Sequence, residues 1–245
     1  MNTVRLVTEY FLHLSKIFLY LCCTINAKRF FIIRNYKAMN VYARFLIDDG
    51  FAFRLNTVLQ FGEGWNVIGA AVLVNPGSAK PVVDVSDCGT LAALSDITGK
   101  NDCWKQFSAD PTMRFLKKIF DGSYIGEQKK LNGVILLYNL FNLRNANLQQ
   151  ALEVAGSCKS PLLFCSNEDI ASLKAVGKVY LGWGKEGVGP VLRPMAEKVF
   201  NAVKDSNAYL YRDFDKNKFR HPMYINRAIS RDKEIRKVLT RFGRL

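Results

Sequence analysis

The polar residues able to do chemistry in this chain sit where apolar runs stop. Asn75, Pro76, Gly77 and Ser78 close the run VIGAAVLV. Proline at the first corner and glycine at the second specify a type II turn, and an asparagine before them can bond back to the turn's amides. These residues are either a plain capped turn or the first polar groups a ligand meets at the carboxyl end of a strand. A second apolar run, residues 133–140, ends among Asn139, Asn142, Arg144 and Asn145. A third, residues 176–182, closes on Gly182-Trp183-Gly184, where flanking glycines let the indole approach a core neighbour or a flat ligand. Imidazole chemistry has one credible source, because the only other histidine, His13, lies near the start. His221, followed by Pro222, is therefore the group to watch, or else a satisfied turn histidine. Amides and a neutral imidazole can hold negative charge as it develops on an oxygen.

Other chemistries lack their residues. There is no GxSxG elbow for a Ser-His-Asp hydrolase and no P-loop for phosphoryl transfer. The six cysteines, at 22, 23, 88, 103, 158 and 165, show no CxxC or CxxH spacing, so neither a metal nor another cofactor is expected. Free thiols fit a reducing, cytoplasmic setting.

The elements that must position these groups follow from apolar spacing. Residues 67–74 carry no charge, as suits a strand covered on both faces of a parallel sheet. Residues 42–61 read as one or two strands with Asp48-Asp49-Gly50 as the turn. Residues 80–108 read as a long loop carrying one short helix at 89–97. Asp110-Pro111-Thr112 is a helix start, with Asp110 as cap and an amphipathic run over 113–120. An anion can bind at such an N-terminus, with Arg114 one turn in; alternatively Asp110 satisfies the amides and Arg114 is a surface charge. Further on come an amphipathic helix at 190–203, a short fourth strand at 208–211, and a basic helix at 229–242 with Ile229, Ile235, Val238, Leu239 and Phe242 on its apolar face.

Charge divides the chain. The formal net charge is +14, of which residues 1–38 carry +5, residues 212–245 carry +7 and the body only +2. Basic ends of this kind suit phosphate backbones, an acidic surface or plain solvation. The first 38 residues read as a basic, apolar extension upstream of a domain that starts at Met39; an amphipathic membrane-surface helix is the other reading, and no integral span is expected because His13, Ser15, Lys16 and Asn26 interrupt the apolar run. The body then forms a single α/β domain over residues 39–226, followed by the basic helix within 227–245.

Five blocks in order, VNPGSA, DPTMR, LYNLFNLRNAN, GWGKEG and RHPMY, make the chain resemble the bacterial family labelled domain of unknown function 1643. That family's pattern runs NPS-x-A, DPT-x-R, NLF-x-x-R, WG-x-x-G and HPLY, and the likeness covers roughly residues 65–226. Gly77 stands where the family has serine, and the longer gap before Asp110 marks residues 80–108 as an insertion. The same order of strand ends is similar, more distantly, to the uracil-DNA glycosylase superfamily. That resemblance implies a three-layer α/β/α fold around a central, mainly parallel four-stranded sheet. It implies that Asn75 positions an attacking water, that His221 faces the base carbonyl, that Gly77 permits close approach of the base, and that Asn139 reads the base edge. With no charged base at position 75, the water would be held rather than deprotonated there.

These roles are coherent for cleavage of an N-glycosidic bond, in which charge gathers on the departing base and the base sits in a pocket with aromatic walls. Phe107, Phe115, Trp183 and Tyr224 are available as walls, and Pro76, Ser78, Asp110, Arg114, Arg144 and Gly184 complete the expected ligand contacts. The competing expectation is a binding module of the same fold that holds a nucleotide or nucleic acid, partly through the basic C-terminal helix, without cleavage. A membrane-peripheral protein led by the first 38 residues is a third class.

Overall fold

The computed structural model describes residues 39–205, 210 and 213–245. The expected strand at 208–211 and the readings of residues 1–38 lie outside the described residues. Strands β1 (Asn40–Asp48) and β2 (Phe51–Phe61) form a hairpin whose corner residues Asp49 and Gly50 both have positive φ, at 51° and 73°. That geometry matches the right-handed twist of paired strands, and Asp-Gly adopts it readily. β3 (Val67–Leu73), β6 (Gly133–Asn139) and the short β7 (Val179–Leu181) are the three apolar runs, found close to their expected positions.

Residues 80–108 are not a loop. They contain β4 (Pro81–Asp84), helix α1 (Cys88–Thr98) capped by Asp87, and β5 (Trp104–Phe107). The exposed pattern of β4 and the brevity of both strands hid them from a search for apolar alternation.

Among the described residues the sheet has seven strands in the order β4-β5-β1-β2-β6-β3-β7. β3 runs parallel to β6 and β7, while β1–β2, β1–β5, β2–β6 and β4–β5 are antiparallel. The expected four-stranded, mainly parallel sheet is thus corrected to a larger mixed one. The parallel part is confined to β6-β3-β7, and the hairpin with the 80–108 segment extends it in the antiparallel sense. Short connections such as Asp49-Gly50 can join only antiparallel neighbours.

Both faces are covered. Along β3, Ala70 and Val72 point to one core and Ala71 and Leu73 to the other. The first core is closed by α1, α3 (Leu148–Ala155), α4 (Asn167–Lys174) and α5 (Arg193–Val203). The second is closed by α2 (Pro111–Phe120), α6 (Pro222–Ala228) and α7 (Lys233–Gly243). The expected C-terminal helix at 229–242 is divided: Asp232 caps a fresh start at Lys233, and Ile235, Leu239 and Phe242 enter the second core. A β-bulge at Asn56, φ 46°, shifts β2 by one residue, so that Leu55 and Val58 share a face and Arg54 lies on the opposite one. Among the described residues no helix is long and apolar enough to cross a membrane.

Candidate functional site

The turn after β3 is held by bonds from the segment after β6. Arg144 Nε donates to the Ala79 carbonyl at 2.8 Å and Nη2 to the Ser78 carbonyl at 3.0 Å, while Asn75 Nδ2 donates to the Asn145 carbonyl at 2.9 Å. Because β3 and β6 are parallel neighbours, their carboxyl ends lie side by side, and Leu73 is paired with Asn139. Gly77 has φ 68°, a left-handed value that glycine adopts without strain, and a Cβ there would meet no atom within 4 Å, so the turn borders open space.

That space is a cleft of about 470 Å³ lined by Asn75, Pro76, Gly77, Ser78, Asn139 and His221, together with Asp110, Pro111, Thr112 and Met113 from the start of α2. Seven residues expected at the site therefore meet: Asn75, Pro76, Gly77, Ser78, Asp110, Asn139 and His221. Asn139 is 2% exposed and its Oδ1 has no hydrogen-bond partner. Asp110 Oδ1 accepts the Met113 amide at 2.8 Å and so fulfils its capping role.

His221 is the N-cap of α6. Its Nδ1 accepts the Met223 amide at 3.3 Å, which places the imidazole proton on Nε2. Burial pushes its pKa below the usual histidine value, with the carboxylates of Glu186 and Asp110 opposing that shift. It is a neutral hydrogen-bond donor at neutral pH.

Several expected contacts are placed elsewhere. Trp183 is 0% exposed and packs on Phe219 with ring centroids 4.5 Å apart, so it belongs to the first core and its Nε1 is unpaired. Arg114 is exposed and bonds the Ala109 carbonyl at 3.3 Å; Arg144 positions the turn from behind. Tyr224, 51% exposed, and Gly184 line a neighbouring groove that shares Glu186 and His221 with the cleft. Phe107 lies in the second core and Phe115 is half-buried, neither at the cleft. The expected aromatic walls are replaced, among the described residues, by Leu73, Val74, Met113, Leu148 and Met223. Two of the four expected rings, Trp183 and Phe107, are instead consumed by core packing, where their area stabilises most.

Two charged lining residues were missed. Glu186 lies inside GWGKEG, where the indole drew attention, and it lines both the cleft and the groove. Arg54, in the middle of β2, is 2% exposed, and its Nε and Nη1 have no partner. Burial lowers its pKa to about 10, so it stays charged at neutral pH; its guanidinium carbon lies 5.6 Å from the Phe107 ring centroid. An arginine amid apolar strand residues was the available signal, FRLNTVLQF.

No family model, curated protein or solved structure matches this chain. Among the described residues no group of His, Cys, Asp and Glu side chains is placed to hold a metal ion.

Proposed function

We propose that the cleft takes in a nucleobase with its sugar and hydrolyses the N-glycosidic bond between them. What carries this reading is the meeting of Asn75, Asn139 and His221, from turns far apart in sequence, on one cavity. The parallel strands β6-β3-β7, whose carboxyl ends supply two of these groups, are the part of the sheet that supports a likeness to uracil-DNA glycosylases.

Each group has a task. Asn75 Nδ2 is engaged by Asn145, so its Oδ1 is the end that holds the attacking water. Asn139 Oδ1, buried and unpaired, accepts an N–H from the base edge, which removes the cost of leaving it unsatisfied. His221 Nε2–H donates to the base carbonyl oxygen as the C–N electron pair moves into the ring, stabilising that charge without itself titrating. The carboxylate of Glu186 takes the proton released by the water. Aliphatic and thioether side chains supply a dry floor for the ring.

Base release from uracil-containing and otherwise modified DNA and from nucleosides, followed by chromatography, tests this. Asn75→Ala and His221→Ala are expected to lower release by about a hundredfold or more. A chain that binds such ligands and releases no base would establish the second reading, a non-catalytic nucleotide or nucleic-acid module. The basic side chains Lys233, Arg236, Lys237, Arg241 and Arg244 along one side of α7 favour that reading. Binding through them would weaken steeply with salt.

A further inference from the structure

We infer that Arg54 is the receptor for the phosphate of a free nucleoside monophosphate, so that the cleft accepts a nucleotide rather than a base presented by a polymer. This rests on the nucleobase reading of the same cleft.

A buried cation is tolerated when something answers it, and here the protein leaves the answer incomplete. Arg54 is 2% exposed and lines the cleft, with Nε and Nη1 unpaired. Asp110 attracts it without forming an ion pair with it, and Arg144 repels it. Arg144 spends its own donors on the Ser78 and Ala79 carbonyls. A buried guanidinium with two unpartnered nitrogens costs on the order of several kcal/mol, which a bound anion recovers. Its planar fork matches two oxygens of a phosphate.

The start of α2 faces the same cavity. Asp110 occupies the Met113 amide, and Pro111 brings no N–H, which leaves the Thr112 amide and the positive end of the ten-residue helix toward the cleft. Arg54 and Thr112 thus offer donors of the kind a phosphate collects. Size sets the rest: about 470 Å³ holds one nucleotide-sized ligand. The phosphates of a polynucleotide lie along its outside and would not reach a guanidinium that is 2% exposed, whereas the terminal phosphate of a monomer enters with its base. The carboxylates of Asp110 and Glu186 also line the cleft and disfavour ligands with more negative charge than the site can neutralise, so a monophosphate is the fitting class.

Calorimetric titration of the full chain with the 5′-monophosphates of adenosine, guanosine, cytidine, uridine and deoxyuridine, each beside its own nucleoside and inorganic phosphate, is the test. At least one monophosphate is expected to bind about tenfold or more tightly than its nucleoside. Arg54→Met should abolish that advantage while leaving nucleoside affinity in place, and should raise the melting temperature of the ligand-free chain. Equal affinity for nucleotide and nucleoside throughout the panel, or an Arg54→Met chain that keeps the preference, would overturn the inference, as would binding of inorganic phosphate alone. Preference for the monophosphate without base release would uphold it and defeat the hydrolytic reading. Base release from DNA that is unchanged in Arg54→Met would do the reverse.

Discussion

His221 Nδ1 accepts the Met223 amide at 3.3 Å, so the histidine that faces the cleft is also the cap of the helix behind it. Protonation would convert that acceptor into a donor directed at another donor. Burial already depresses the folded-state pKa below its usual value of 6.5. In the unfolded chain the imidazole takes up a proton near its ordinary value, and in the folded chain only at lower pH. The unfolded state therefore binds more protons in that interval, and stability rises with pH across it. The contribution is complete above about 6.5 and is lost as pH falls toward and through the folded value. Urea midpoints measured from pH 7.5 to 5 should fall in the wild type and fall less in His221→Asn, whose side chain also caps without titrating. Parallel slopes for the two would contradict this.

Arg144 is expected to matter for the shape of the turn. Its two bonds to the Ser78 and Ala79 carbonyls hold the turn after β3 against the segment after β6. Arg144→Ala should cost about 2 kcal/mol in urea unfolding. Arg144→Lys should recover only part, since an ammonium lacks the planar fork. An alanine variant as stable as the parent would show that the turn holds its shape unaided.

The bulge in β2 depends on Asn56. It has φ 46°, and its Nδ2 donates to Asp169 Oδ1 at 2.6 Å while Asp169 completes the capping box of α4. Asn56→Ala should lose the bond and add backbone strain, and Asn56→Gly should lose the bond alone. The glycine variant is thus expected to be about 1 kcal/mol more stable than the alanine variant in chemical denaturation. The reverse order would mean that the left-handed conformation carries no cost at this site.

Gly187 has no room for a side chain, because a Cβ there would lie 2.1 Å from Trp183 Cδ1. Gly187→Ala should destabilise by about 2 kcal/mol through forced movement of the buried indole. Trp183→Phe, which discards an unpaired buried N–H at the expense of ring volume, should leave ligand affinity unchanged in titration, since the ring is in the core. A large loss of affinity in Trp183→Phe at unchanged stability would place the indole at the ligand after all.

What the sequence determined by itself was local. Asp49-Gly50 specifies its hairpin, Asn75-Pro76-Gly77 its corner, and Asp110-Pro111 its helix start, because the dihedral preferences and capping bonds involved span four residues or fewer. The uncharged runs that became β3 and β6 were equally readable, since burial on both faces leaves no alternative composition. The pairing of strands was decided only in three dimensions. β4, at the sheet edge, and its neighbour β5 are short, partly exposed strands whose hydrogen bonds come from residues more than twenty positions away, and no local pattern declares such partners. Likewise the type of Trp183 cannot say whether its ring meets Phe219 or a ligand, and Arg54 looks like any strand residue until the bulge at Asn56 sets which face it takes. Side-chain chemistry is written residue by residue, but its burial and its missing partners are properties of the assembled sheet, and it was these that turned an arginine between apolar neighbours into the most telling group of the cleft.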